Sequence, residues 1–233
     1  MTTHATPESS PGQQAKIRVV VADDQPVVRA GFTALLHAQP DLEVVGDTGD
    51  GDDLVDLVTA TQPDVAVVDI RMPRMDGIEA CRRLAQAGVA TKVLIVTTFD
   101  LDAHVFDALR AGASGFLLKD APAARLVEAV RTVADGSMLL GPGVTRQLVE
   151  QWASSRARVD ARWLDDLTPR EREIALLVAR GGSNAEIAQQ LVVSEQTIKS
   201  HVSEVLRKLN VRDRVQVVVL AYEHGLVQPG QGE

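Results

Sequence analysis

Two hydrophobic periodicities take turns along the first half of the chain, and little else could constrain its fold as strongly. Five short, β-branched apolar runs (Ile17 to Val21, Leu42 to Val45, Val65 to Val68, Val93 to Val96, Gly115 to Leu118) alternate with helix-like stretches at 26–38, 51–62, 76–87, 102–112 and 122–135. Runs that are apolar throughout, rather than at every second residue, fit strands buried on both faces. Strands that alternate with amphipathic helices imply right-handed βαβ crossovers and a parallel sheet covered on both sides. The expectation is an α/β domain over residues 16–136, a doubly wound five-stranded parallel sheet. In such folds ligands bind outside the carboxyl ends of the strands.

After Leu167 the strand signal stops and helix punctuation takes over. Thr168-Pro169-Arg170-Glu171 and Ser183-Asn184-Ala185-Glu186 are capping boxes, the first with proline at the first helical position. Ser194 is placed to cap a third helix with Ile198, Val202, Val205, Leu206 and Leu209 inward, and a fourth helix begins near Arg212. Four short helices with a tight Val192-Val193 turn fit a small all-α helix-turn-helix unit over 165–228. Residues 137–164 read as a linker with one helix, Val144 to Ala153. Residues 1–15, rich in Ser, Thr, Pro and Gln, and 229–233 read as tails.

Composition narrows the chemistry. The single cysteine, Cys81, excludes a disulfide framework or cysteine-based metal cluster within one chain. With no apolar leader and no run near the 18 or so residues of a membrane span, a soluble cytoplasmic protein without membrane partners is expected. Aromatics are 3% of the residues, too few for the stacking platforms that hold single-stranded nucleic acid. The net charge of −8 argues against a non-specific nucleic-acid binder, but its distribution is uneven. Residues 194–215 hold Lys199, Arg207, Lys208, Arg212 and Arg214 against Glu195, Glu204 and Asp213, a small basic stripe in an acidic chain.

Three acids fall at strand ends: Asp23 and Asp24 after the first run and Asp69 after the third. Convergent carboxylates raise one another's pKa unless a cation neutralises them, and an all-oxygen donor set suits Mg²⁺. The fourth and fifth strand ends add Thr97 and Lys119, a hydroxyl and an ammonium. Any one of these residues has an ordinary structural explanation. Together they form a site arranged to hold a phosphoryl group on a carboxylate.

Val21-Ala22-Asp23-Asp24-Gln25-Pro26, Asp69-Ile70-Arg71-Met72-Pro73-Arg74-Met75-Asp76-Gly77, Thr97-Thr98-Phe99-Asp100 and Gly112-Ala113-Ser114-Gly115-Phe116-Leu117-Leu118-Lys119 resemble the receiver domain of two-component response regulators. Residues 167–225 resemble a LuxR-type helix-turn-helix, so the whole arrangement is similar to the NarL/FixJ subfamily, with a flavodoxin-like receiver. The resemblance implies that Asp69 is the phosphoacceptor and that Asp23, Asp24, Asp69 and the backbone carbonyl of Arg71 hold Mg²⁺. It implies that Lys119 contacts phosphoryl oxygens, that Thr97 swings toward them and that Phe116 follows as the switch aromatic. Arg71 and Phe99 flank the family's site. Asp120 stands where many receivers carry proline after the lysine.

In a helix-turn-helix the second helix enters the major groove. Helical periodicity leaves Gln196, Lys199, Ser200, Ser203 and Arg207 outward. The resemblance puts Lys199, Ser200 and Ser203 near bases, and Thr197, Arg207 and Lys208 near the DNA backbone. Few base contacts per half-site imply binding as a homodimer. Val215, Val218, Val219 and Tyr222 form an apolar stripe on the last helix, part of which packs inside the bundle, and the resemblance implies that the remainder pairs two subunits. The expected partners are a sensor histidine kinase and double-stranded promoter DNA, and the expected role is a phosphorylation-controlled transcription factor, not an enzyme. A haloacid-dehalogenase-like phosphatase would need an acid two positions after the nucleophile, where Arg71 stands. A phosphorylation-independent DNA binder would have no use for the full acidic, threonine and lysine set.

Overall fold

The computed structural model describes residues 15–98, 101–136 and 162–226. Residues 1–14 of the N-terminal tail, Phe99, the 137–161 part of the linker with its Val144–Ala153 helix, and the C-terminal tail lie outside the described residues. The first half runs β1 (Ile17–Ala22), α1 (Pro26–His37), β2 (Leu42–Thr48), α2 (Gly51–Thr61), β3 (Val65–Val68), α3 (Gly77–Gln86), β4 (Lys92–Thr97), α4 (Leu101–Arg110), β5 (Gly115–Leu118) and α5 (Ala123–Ala134). All strand pairs are parallel, in the order β2-β1-β3-β4-β5, with the expected five strands.

The period of two along each strand divides the core into two layers. Val20, Ala22, Ala66, Val68, Val93 and Ile95 face Leu54, Val58, Ile78, Leu84, Val105 and Leu109 of α2, α3 and α4. Their neighbours Val19, Val21, Val65, Val67, Leu94 and Val96 face Leu36 of α1 and Leu126, Val130 and Val133 of α5. β3 is therefore wholly buried, and β1 and β4 are buried from Val19 and Val93 onward, which is why their sequences are continuous apolar runs.

Helix starts are set locally. Pro26 opens α1; the Asp50 carboxylate caps α2 through Asp52 N and that of Asp76 caps α3 through Glu79 N. Only glycine fits at 77, because a Cβ there would lie 2.1 Å from the Asp69 carbonyl oxygen. The loop after β3 thus folds back directly onto the strand end.

The second half opens with a 3₁₀ turn, Arg162–Leu164. It continues with α6 (Pro169–Ala179), α7 (Asn184–Leu191), α8 (Glu195–Leu209) and α9 (Arg214–Glu223). Both expected capping boxes form with both of their hydrogen bonds, and Ser194 and Asp213 cap α8 and α9. Ile174, Val178, Ile187, Ile198, Val205 and Val217 make the core, with Leu177, Leu191, Val202, Leu206 and Leu209 partly buried around it. The α7–α8 turn is made by Val192 at φ 54°, a left-handed conformation that costs a β-branched residue on the order of 1–3 kcal/mol. Buried Arg214 donates to the Gly182 carbonyl and to Asn184 Oδ1, tying α9 to the α6–α7 turn. Among the described residues, no helix is long and apolar enough to cross a membrane.

The two halves are in contact. Val215 and Val219 of α9 join the receiver-side core with Cys81, Leu84, Val105 and Leu109, and Tyr222 packs against it. Polar bonds frame this patch. Ser114 Oγ donates to the buried Asp213 carboxylate at 2.5 Å, and Gln216 Nε2 donates to the carbonyls of Leu109 and Ala113, each at 3.1 Å. Arg110 pairs with Glu223 at 2.6 Å.

Candidate functional site

The strand ends of β1, β3 and β5 bring Asp23, Asp69 and Lys119 together. Lys119 Nζ lies 2.6 Å from Asp23 Oδ2 and 2.8 Å from Asp69 Oδ2, and all three side chains are almost fully buried. Asp24 is exposed at the pocket mouth, and ligand oxygens of Asp23, Asp24 and Asp69 lie within 4.8 Å of one another. Burial pushes the Asp69 carboxyl above its ordinary range, against the pull of Lys119. Burial also works against the Lys119 ammonium, but its hydrogen bonds to Asp23 and Asp69 outweigh that and hold it above the usual lysine value.

Three carboxylates against one ammonium leave a surplus of negative charge in a confined, all-oxygen site. The donor chemistry fits a hard divalent cation, so Asp23, Asp24 and Asp69 could hold Mg²⁺. Arg71, expected to contribute its carbonyl, is exposed in the β3–α3 loop between Ile70, whose carbonyl accepts from Gly77 N, and Arg74. Thr97 ends β4 buried, and its carbonyl accepts from Lys119 N at 2.8 Å, which fixes the lysine at the β4–β5 edge. Phe116 is buried in the core layer shared with α4. The only thiol offers no competing chemistry, since burial pushes Cys81 up to about 12.

Two supporting residues were not singled out from the sequence. Arg29 Nη1 donates to the Asp23 carbonyl at 2.6 Å while its Nε binds Asp47, pinning the β1–α1 loop. Asp50 caps α2 and also reaches the β3–α3 loop. An Asp-Gly pair before a helix signals a cap, but nothing in it signals the partner 24 residues away.

On α8, Gln196, Thr197, Lys199, Ser200, Ser203 and Arg207 are exposed. Ser200 and Ser203 turn their hydroxyls onto the carbonyls of Gln196 and Lys199, and Thr197 meets the Ser194 hydroxyl. Arg207 lays its guanidinium across Glu204, and Lys199 pairs at 3.7 Å with Asp135 at the end of α5. Lys208 reaches back to Glu171 at 2.7 Å, bridging α8 to the capping box of α6. Val215, Val219 and Tyr222 face the receiver, and Val218 is buried.

The hydrogen bond from Lys208, with the Thr168 amide, lowers the Glu171 carboxyl to about 2 from 4.5. A carboxyl lowered on folding stabilises the fold above its unfolded value, and that contribution is lost as pH falls from 4.5 towards 2. Lys208→Met should therefore cost stability near neutral pH and flatten the acid loss over that window. Denaturant unfolding of the full chain at pH 7, 4 and 3, wild type against variant, checks this.

An acidic pocket with one buried lysine at the carboxyl ends of a parallel sheet, followed in the same chain by a helix-turn-helix, defines a receiver joined to a DNA-binding output. The chain belongs to the two-component response regulators of the NarL/FixJ type. Residues 19–131 match the response regulator receiver domain, and residues 165–221 match the LuxR family of bacterial regulatory proteins. The chain is 42% identical to the uncharacterized transcriptional regulatory protein YxjL of Bacillus subtilis, covering 91% of this chain and 98% of that one. It is 37% identical to the transcriptional regulatory protein LiaR of the same species, over 91% and 99%. Among solved structures it is similar to the response regulator ChrA of a heme-sensing two-component system (37% identity, 92% and 100% covered, TM-score 0.51). The receiver half is similar to that of a putative response regulator NarL from Mycobacterium tuberculosis (41% identity, 53% and 99% covered, TM-score 0.52).

Proposed function

We propose that Asp69 accepts a phosphoryl group from a sensor histidine kinase, and that this modification converts a closed chain into a homodimer that binds promoter DNA in the cytoplasm. The observation that carries the reading is the buried Asp69 carboxylate, held 2.8 Å from Lys119 with Asp23 and Asp24 beside it. An Asp69 oxygen attacks phosphorus, an O–P bond forms, and the N–P bond to the kinase histidine breaks with the electron pair leaving on imidazole. Asp23, Asp24, Asp69 and the Arg71 carbonyl would hold Mg²⁺, which when bound would supply charge neutralisation for the phosphoryl oxygens. The Lys119 ammonium, already 2.8 Å from Asp69 Oδ2, is within reach of the same oxygens. The Thr97 hydroxyl then donates to the phosphoryl group, and Phe116 repacks behind it.

The α9 contact links this event to output. Val215, Val219 and Tyr222, the stripe expected to take part in subunit pairing, lie against the receiver, so pairing through them requires that contact to open. Lys199, one of the residues expected to read bases, sits beside Asp135 of the receiver. Phosphorylation acts by favouring the open arrangement over the closed one, which requires a phosphoryl group with different affinity for the two states. The domain plan that follows is a receiver over 16–136, a linker over 137–164 and a DNA-binding unit over 165–228. Selection from a random duplex library tests the whole reading. Protein loaded with Mg²⁺ and beryllofluoride should enrich a two-fold-symmetric site that unloaded protein does not enrich. Equal enrichment with and without loading would count against phosphorylation control.

A further inference from the structure

We infer that Asp50 is a positioning residue for the phosphorylation pocket: its carboxylate, together with Gly51, fixes the β3–α3 loop that carries Arg71. The inference rests on the reading of the pocket above, and it assigns a role to a residue that touches neither the metal ligands nor the phosphoryl position.

Asp50 is only 6% exposed and uses its two oxygens on two different parts of the chain. Oδ1 accepts from Asp52 N at 3.0 Å, an ordinary helix cap. Oδ2 accepts from the backbone N of Arg74 at 3.0 Å and from Arg74 Nε at 3.1 Å. Gly51 N adds a bond to the Met75 carbonyl at 3.2 Å, and a Cβ at Gly51 would stand 2.4 Å from that oxygen. At the other side of the loop, Gly77 N donates to the Ile70 carbonyl at 2.8 Å. The seven-residue loop from Ile70 to Asp76 is thus gripped at Ile70, Arg74 and Met75, and Arg71 lies inside the grip.

Capping α2 needs one acceptor, which serine supplies as well as aspartate. The second oxygen serves only the loop. A backbone carbonyl ligand has no rotamers with which to correct its position, so the course of the loop decides where it points. Groups that orient metal ligands from behind typically change metal affinity by about 10–100-fold when removed.

Asp50→Ser keeps an oxygen for the α2 cap but is too short to reach Arg74 N. Asp50→Asn keeps the shape and forces one acceptor to serve both ends. Arg74→Ala removes the guanidinium but retains the backbone N–H. Each full-length variant is titrated with Mg²⁺ alone by calorimetry, then followed for phosphoryl uptake from acetyl phosphate and for Tm. Asp50→Ser should weaken Mg²⁺ binding about tenfold and slow phosphoryl uptake comparably. Asp50→Asn should fall between it and wild type, and Arg74→Ala should stay within about twofold of wild type. Serine and asparagine variants that lose Tm but bind Mg²⁺ as wild type does would overturn the inference and reduce Asp50 to a helix cap. A wild-type chain that neither binds Mg²⁺ nor takes up phosphate would instead overturn the pocket reading, and this inference with it.

Discussion

Asp69→Asn is expected to abolish phosphoryl uptake while leaving the chain folded and more heat-stable in metal-free buffer. The three acids of the pocket are not equivalent. Asp23 has one oxygen on Gln25 N and the other on Lys119, and Asp24 stands exposed. Asp69 directly follows the central strand β3, with its carboxylate against Lys119 and its main chain bonded to Ala22. An amide at 69 occupies the same space but cannot form an acyl phosphate. It also removes a buried charge whose pKa is raised, first by burial and further by Asp23. A carboxyl raised on folding weakens the fold once pH exceeds its unfolded value, so neutralising it raises Tm at pH 7. Intact-mass measurement after incubation with acetyl phosphate and Mg²⁺ reads the first effect, and calorimetry reads the second. A variant that still gains the mass of one phosphoryl group would move the acceptor to another residue.

The second large effect is expected at the contact between the halves. Ser114 donates to the Asp213 carboxylate inside a region from which water is excluded, and burial raises that carboxyl. Ser114→Asp puts a second carboxylate there, still able to accept from Val93 N as the serine oxygen does. Two like charges about 4 Å apart repel by about 4 kcal/mol at an effective dielectric of 20, so opening the contact becomes the cheaper state. The variant should bind DNA without a phosphodonor at a protein concentration up to roughly 1,000-fold below that needed by unphosphorylated wild type. Ser114→Asn, which can donate to Asp213 without adding charge, should stay closed. Fluorescence anisotropy on the selected duplex checks both. If Ser114→Asp needs as much protein as wild type, the contact between the halves does not restrain the output.

How much of this could be read from the sequence follows from how local each signal is. The sheet was legible because five apolar runs alternate with helical stretches, and that alternation leaves little topological choice. The meeting of Asp23, Asp69 and Lys119 was legible because strand ends gather at one edge of such a sheet. The capping boxes at Thr168 and Ser183 marked helix starts within a few residues. What escaped depends on distant partners. Periodicity showed that Lys208 leaves the apolar stripe, but not that Glu171, on another helix, would claim it. The bond between Ser114 and Asp213 joins residues 99 positions apart, in segments whose own patterns are complete without it. The α9 stripe was legible as apolar, but not as facing the receiver, because a hydrophobic face carries no label for its partner.

Light scattering coupled to size-exclusion chromatography, run on wild type and Asp69→Asn with and without Mg²⁺ and beryllofluoride, goes most directly to the claim that one acidic pocket governs assembly. Wild type should move from the mass of one chain to that of two only when both reagents are present, and the variant should remain a single chain throughout. A wild-type chain whose mass ignores the reagents, or a variant that doubles with them, would contradict it.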